Sequence, residues 1–277
     1  MQVSAPAKIN LFLKVLRRRA DGFHEIETFI SPISLCDKIR IDRSKRGQGI
    51  SFRCDDPSVP RGGENLAVRA ADAFFAATKT KPAVSIVLKK RIPHGAGLGG
   101  GSSDAAAVLL ALNQLFATKL SRDKLAKLGS TLGSDVPFFI FASAAVCTGR
   151  GQIVTPLKLK HKLSILLLKP DFSVSSAWAY ARWQNSRKIP GVSYKPQKFG
   201  GQTFVNDLER PVFEKFVFLA RIKMWLLEQK EVAAALMSGS GSTVFAALRP
   251  NVDVDLLAKR VRKELDREIW TCVCETL

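Results

Sequence analysis

The stretch Ile92-Pro93-His94-Gly95-Ala96-Gly97-Leu98-Gly99-Gly100-Gly101-Ser102-Ser103-Asp104 leaves a folded chain few options. Five of its thirteen residues are glycine. A strand-like run, Ala83 to Leu88, precedes it, and a helical run, Ala105 to Phe116, follows it. Glycine lets a backbone take positive φ and approach a ligand with no Cβ in the way. Ser102, Ser103 and Asp104 are good N-cap residues, so the loop feeds a helix start with unpaired N–H donors and partial positive charge. A glycine loop joined to a helix start is a recipe for binding phosphate. A tight turn or linker is the alternative, but a linker needs no strand and helix packed against it.

Three familiar phosphate loops do not fit. Gly95 and Gly100 have Walker spacing, but Gly101 stands where the lysine belongs. Gly95, Gly97 and Gly100 match the dinucleotide pattern literally. However, the polar run Lys89-Lys90-Arg91-Ile92-Pro93-His94 separates strand from glycines, and the nearest acid downstream, Asp123, opens another helix. No H-R-D or D-F-G follows, as a protein kinase requires.

With 277 residues, 46% of them hydrophobic, the chain can bury a large core in one large domain or two ordinary ones. Lys plus Arg is 43 and Asp plus Glu 24, a formal charge of +19 that favours acidic partners: nucleic acid, anionic membrane or phosphorylated substrates. The basic residues are dispersed and the densest cluster is only Arg17-Arg18-Arg19, which argues against a dedicated nucleic-acid patch. The five cysteines form no C-x-x-C and the three histidines are scattered, so no zinc spacing exists. An odd cysteine count and a start without a signal-like apolar region predict reduced thiols and a cytoplasmic location. No apolar run reaches the length of a membrane span.

Val3 to Val15 alternates apolar and polar residues, a strand with one buried face. Lys8 and Asn10 project from the same side, either as outward polar residues or as the lining of a cleft. Asp21-Gly22 signals a hairpin turn. It places Phe23 and His24 at the start of a second strand, Glu25 to Ile33, where each can pack or bind. A third strand runs from Asp37 to Asp42, before a polar stretch through Lys45-Arg46-Gly47-Gln48-Gly49. Gly62 to Leu66 opens a helix through Ala77, and Ser121 caps a short one. Asp135 before Val136-Pro137 reads as a helix N-cap or as an acid held in a pocket. From Leu163 the pattern restarts as β-α-β-β-α-β, a ferredoxin-like order. It comprises strand Leu163–Lys169, a helix near Ser175–Gln184, helix Asp207–Gln229, strands 232–237 and 243–248, helix 253–267 and strand Glu268–Glu275. The segment Ser186 to Thr203 reads as a mobile loop.

Several of these stretches together resemble the GHMP kinases. They are Pro93-x-x-x-Gly97-Leu98-Gly99-Gly100-Gly101-Ser102-Ser103, the opening Ala5-Pro6-Ala7-Lys8-Ile9-Asn10-Leu11, and Arg19-Ala20-Asp21-Gly22-Phe23-His24. Leu132-Gly133-Ser134-Asp135-Val136-Pro137-Phe138, Asn206-Asp207-Leu208-Glu209 and Met237-Ser238-Gly239-Ser240-Gly241 continue the series. The resemblance covers residues 5 to about 247. It implies an α+β, two-domain GHMP kinase fold, with an N-terminal domain like ribosomal S5 domain 2 over 1–157 and a ferredoxin-like domain over 158–277. It also implies a left-handed βαβ crossover in the first domain, against the general rule.

Within the family, the D-G-F-H and Tyr180 positions point to the branch that phosphorylates the 2-hydroxyl of 4-diphosphocytidyl-2-C-methyl-D-erythritol, in non-mevalonate isoprenoid precursor synthesis. The resemblance makes Lys8 and Asp135 catalytic. It gives ATP binding to Pro93, His94, Gly95, Ala96, Gly97, Leu98, Gly99, Gly100, Gly101, Ser102 and Ser103, with Asn65 beside the adenine. Asn10, Phe23, His24, Tyr180, Ser238, Gly239 and Ser240 become substrate contacts, with Phe23 and Tyr180 sandwiching cytosine. Phe23 replaces the usual Tyr, Ser176 a usual Thr, and Gln152 the usual Glu of G-x-G-E after Gly149-Arg150-Gly151. Expected cofactors are ATP and Mg2+, whose protein ligands the sequence leaves unknown. Expected partners are the cytidine diphosphate derivative and ATP, without nucleic acid or membrane, in a monomer or weak homodimer. A GHMP kinase for mevalonate or homoserine, or a basic nucleic-acid-binding protein with an S5-like domain, is the competing reading.

Overall fold

A computed structural model describes residues 1–44 and 49–277. Lys45-Arg46-Gly47-Gln48 of the polar stretch noted above lie outside the described residues.

The alternating N-terminal segment forms β1 (Gln2–Arg18), which turns at Asp21-Gly22 into β2 (His24–Arg43). Asp21 Oδ1 accepts the Phe23 N–H at 3.2 Å and holds the turn. The expected second and third strands are one continuous β2, because irregularities opposite Pro6–Lys8 and Asn10–Phe12 absorb the break in register. β3 (Gly49–Cys54), α1 (Leu66–Thr78) and β4 (Ala83–Lys89) form a parallel crossover at the sheet edge. α2 (Gly100–Leu115), α3 (Arg122–Ser130) and α4 (Val136–Phe141) follow, then the hairpin β5 (Ala145–Thr148) and β6 (Ile153–Pro156). Helix α2 starts at Gly100, ahead of the expected Ser102–Asp104 cap, because Gly100 and Gly101 are themselves helical and Gly99 takes the cap position.

The second half begins with β7 (Ser164–Lys169) and α5 (Ser176–Arg182). The segment expected to be a mobile loop instead carries β8 (Gln197–Phe199) and the start of β9 (Gln202–Asn206). Its attachments are specific. The Gln197 amide donates to Ala235 O and accepts from Ala235 N–H, both at 2.9 Å, and β9 pairs in parallel with β1. α6 (Glu209–Lys215) and α7 (Val217–Leu227) replace one long expected helix, broken at Phe216. β10 (Val232–Met237), β11 (Val244–Leu248), α8 (Val254–Glu264) and β12 (Trp270–Glu275) complete the chain.

The second sheet has the order β10-β11-β7-β12, which is the ferredoxin-like arrangement the element order predicted. The first has eight strands, with β3-β4-β2-β1-β9-β8 as its main path, so two strands from the second half complete a sheet begun in the first. One face of β1 carries Ala7, Ile9 and Leu11 against Ile165, Leu167 and Phe245 of the second sheet. Burial of that face fixes the register and turns Lys8 and Asn10 to the opposite side. They are not solvated: Lys8 is 4% exposed and Asn10 3%.

Behind the second sheet, Lys223 and Glu209 form a fully buried ion pair at 2.6 Å. Glu209 also accepts the Met237 N–H at 3.0 Å, and Lys223 donates to Ser193 O at 2.9 Å. Burial raises the Glu209 pKa against the opposing pull of Lys223. Removing one partner strands the other charge in an apolar core. Lys223→Met is therefore expected to lower unfolding free energy by about 3–5 kcal/mol in urea titrations, and Lys223→Met/Glu209→Leu to recover much of that loss.

Candidate active site

A cavity of about 1050 Å³ opens on the Lys8 side of β1, lined by residues from both halves of the chain. β1 supplies one wall. Lys8 Nζ donates to Asn10 Oδ1 at 2.6 Å, and Asn10 Nδ2 donates to Thr28 Oγ1 at 2.8 Å on β2. Lys8 Nζ also lies 3.7 Å from Asp135 Oδ2. Asp135 precedes α4 in the N-cap position, but its carboxylate makes no cap bond. Its side chain faces Lys8 and the cavity, which excludes the plain N-cap reading.

The glycine stretch forms the opposite wall, and both halves of the chain grip it. Lys8 N–H donates to Leu98 O at 2.9 Å, Thr243 N–H to Ala96 O at 3.2 Å, and Ser238 Oγ to Gly97 O at 3.0 Å. Gly97 has φ +75°, and a Cβ there would collide with the Ser238 carbonyl and lie 2.8 Å from Gly241 O. At Gly99, φ +70°, a Cβ would lie 3.0 Å from both Lys8 Cγ and the Phe139 ring. Glycine at these two positions lets the loop pass between Lys8 and the hairpin after β10.

The structure brings together nearly all the residues picked from sequence. Lys8, Asn10, Phe23, His24, Asn65, Asp135, Tyr180, Gly239, Ser240 and the run Pro93 to Ser102 line the cavity. Two do not. Ser103 is buried beneath the loop and its N–H already donates to Gly99 O at 2.9 Å, because the helix starts three residues early. Its hydroxyl is buried without a partner. Ser238 is fully buried, and its hydroxyl locks Gly97 rather than facing the cavity. Asn65 borders the cavity, but its side chain is engaged by the protein. It accepts the Ala67 N–H at 2.8 Å as the cap of α1 and donates to Pro60 O at 2.7 Å.

Phe23, His24 and Tyr180 gather at one end of the cavity. Tyr180 stacks on His24, centroids 5.6 Å apart and planes at 25°, while Arg150 lies 4.9 Å over the half-exposed Phe23 ring. Burial pushes the Tyr180 phenol pKa well up.

Sequence reasoning passed over the supports of this site. Asn206 Nδ2 donates to both Met237 O and Gly239 O at 2.7 Å, and its Oδ1 accepts the Leu208 N–H at 2.9 Å. With Glu209 on the Met237 N–H, the N-D-L-E motif is the mount of the Ser238–Ser240 loop. Lys90 joins Asp37 to Asp104 of α2. Burial pushes Asp104 up to about 7, with the Lys90 ammonium opposing and the Asp37 charge adding to the rise. The Lys89-Lys90-Arg91 run was the available signal, but which lysine turns inward depends on the strand register.

The two sheets, the grip on the glycine loop and the Lys8–Asp135 pair define a small-molecule kinase of the GHMP class. Models of the GHMP kinases N terminal domain and the GHMP kinases C terminal match residues 65–143 and 200–267. The 4-diphosphocytidyl-2-C-methyl-D-erythritol kinase of Methylacidiphilum infernorum is 43% identical over 87% of this chain and 84% of its own. That of Geobacter metallireducens is 41% identical over 88% of both. A crystal structure of 4-(cytidine 5'-diphospho)-2C-methyl-D-erythritol kinase superposes with TM-score 0.80 and 34% identity, covering 100% of this chain and 99% of that one. The chain belongs to the 4-diphosphocytidyl-2-C-methyl-D-erythritol kinase family. A homoserine kinase from Cytophaga hutchinsonii, at TM-score 0.68 and 16% identity, shares the fold.

His24 supplies a pH-dependent test. Burial and then the Arg18 charge lower its pKa from 6.5. The unfolded chain takes up this proton first, so His24 makes stability fall as pH drops through 6.5 toward its folded pKa. NMR titration of the His24 ring is expected to give a midpoint below 6.5, and Arg18→Ala to move it up. A midpoint unmoved by Arg18→Ala would place the two side chains apart.

Proposed function

We propose that this chain transfers the γ-phosphoryl group of ATP to the 2-hydroxyl of 4-diphosphocytidyl-2-C-methyl-D-erythritol. The observation that carries the reading is the Lys8–Asp135 pair, 3.7 Å apart, facing a glycine loop in a chain 43% identical to a kinase named for that substrate. Residues 1–157 form the ATP-binding domain in this reading and 158–277 the second, with β8 and β9 returning to the first sheet.

ATP phosphates lie against the loop from Gly97 to Ser102, where the early start of α2 leaves the Gly100, Gly101 and Ser102 N–H groups without intrahelical partners. Asp135 accepts the proton of the attacking hydroxyl. Lys8, held by Asn10, places positive charge beside the moving phosphoryl group. Phosphoryl transfer needs mainly positioning and charge stabilisation, which this arrangement provides. Magnesium supplies charge to the phosphate oxygens when ATP is bound. It typically keeps several waters and uses one or two carboxylates plus phosphates. Among the described residues no group of three or more acidic, His or Cys side chains forms a dedicated cage. Ser102, at the start of α2, lines the cavity, and its hydroxyl would hold the ion together with the phosphates and water.

Phe23, His24 and Tyr180 form the cytosine end, and Gly239 and Ser240 lie by the acceptor alcohol. No described helix is long and apolar enough to cross a membrane. The enzyme in this reading is cytoplasmic, acts on two small molecules without nucleic acid, and is a monomer or weak homodimer.

ADP release is expected with the cytidylyl acceptor and not with mevalonate or without acceptor. Turnover with mevalonate alone would discard the cytosine subsite. Asp135→Asn should lower kcat by about 10²–10⁴-fold while changing ATP affinity little. Wild-type turnover in that variant would remove Asp135 from the chemistry. Tyr180→Ala should raise KM for the cytidylyl substrate, and an unchanged KM would misplace the base.

A further inference from the structure

We propose that Arg150 binds the diphosphate of the cytidylyl substrate, an assignment that rests on the substrate reading above. The cations of the cavity divide by their partners. Lys8 pairs with Asp135, and Lys90 with Asp37 and Asp104. Arg18 and Arg150 also line the cavity, and among the described residues neither has a carboxylate within ion-pair distance. Asp21 is the acid whose pKa registers the Arg150 charge, but its carboxylate is engaged by Arg19 at 3.1 Å. Arg18 is exposed, whereas Arg150 is half-buried and mounted.

The mount is the Gly149-Arg150-Gly151-Gln152 turn. Both glycines have positive φ, 72° and 105°. Gln152 Oε1 accepts the Arg150 N–H at 2.8 Å, and Gly149 O accepts the Ile26 N–H at 2.7 Å on β2. The side chain is fixed as well. Nη2 donates to Ser130 O at 3.3 Å, and the guanidinium lies 4.9 Å over the Phe23 ring. Gln152, which departs from the usual Glu, still holds the turn through its carbonyl oxygen. It adds no negative charge beside the arginine.

A diphosphate joining cytidine to a polyol must run from the Phe23–His24–Tyr180 end toward Lys8 and Asp135. Arg150 stands beside the first. A guanidinium is a planar fork of donors suited to phosphate oxygens, and stacking on Phe23 leaves the donors other than the one on Ser130 O open along its edge. The Phe23 ring is also where the usual Tyr hydroxyl is lost, so recognition at this end depends more on the cation.

The test is equilibrium binding of CDP, cytidine and ATP to the wild-type chain, Arg150→Ala and Arg150→Lys, each checked for folding by thermal melting. Hydrogen bonds to a charged group predict about ten- to a hundredfold weaker CDP binding in Arg150→Ala, with cytidine and ATP affinities unchanged. Arg150→Lys should recover part of the loss, because it keeps the charge without the fork. Equal weakening of CDP and cytidine would overturn the proposal, since Arg150 would then only prop Phe23. Loss of ATP instead of CDP would also overturn it. If the wild-type chain itself binds CDP no better than cytidine, the substrate reading fails together with this assignment. If wild type prefers CDP and Arg150→Ala binds it equally well, Arg150 alone is misassigned.

Discussion

The grip of two chain halves on one glycine loop is the constraint on which the site depends. Ser238 Oγ takes the Gly97 carbonyl, Thr243 N–H takes Ala96 O, and Lys8 N–H takes Leu98 O. These bonds hold a loop rich in left-handed glycines that would otherwise lose much conformational entropy on ordering. They also set the distance between the glycine-loop wall and the Lys8–Asp135 pair. The hairpin that grips the loop is in turn mounted on Asn206 and Glu209, and Glu209 is balanced in the core by Lys223. A chain of buried polar contacts thus runs from behind the second sheet to the glycine loop and the Lys8 backbone. Each member is expensive to leave unpaired in low dielectric, so the arrangement is strongly specified.

Electrostatics divides in the same manner. The formal charge of +19 is spread over the surface and raises the local concentration of anions. Inside the cavity, two lysines are already balanced by carboxylates and shape the site. Arg150 and Arg18 remain for an anionic ligand. The basic composition therefore fits a kinase whose two reactants are both polyphosphates.

Much of this was legible in the sequence because it rests on local rules. The glycine loop, the alternation that points Lys8 and Asn10 to one side, the Asp21-Gly22 turn and the ferredoxin-like order each follow from short-range pattern. What was not legible is non-local. The pairing of β9 with β1 places Phe12 beside Val205 and depends on contacts distant in sequence. The early start of α2 removed Ser103 from the cavity, since glycines poor in helix propensity are held helical by their surroundings. Asn65 looked like a nucleotide contact and is the cap of α1, two roles that use the same amide. Arg150 sat in a motif that had been noticed, but its direction is set by a turn docked on β2. The fold is shared with a homoserine kinase, so architecture alone does not choose the acceptor.

The measurement that bears most directly on the account is the position of the new phosphate in the product. The chain would be incubated with ATP and 13C-labelled 4-diphosphocytidyl-2-C-methyl-D-erythritol, and phosphorus–carbon couplings read by NMR. The account predicts one new phosphomonoester, on the 2-hydroxyl of the methylerythritol. A phosphate on another oxygen, or ADP and free phosphate with the acceptor unchanged, would contradict it.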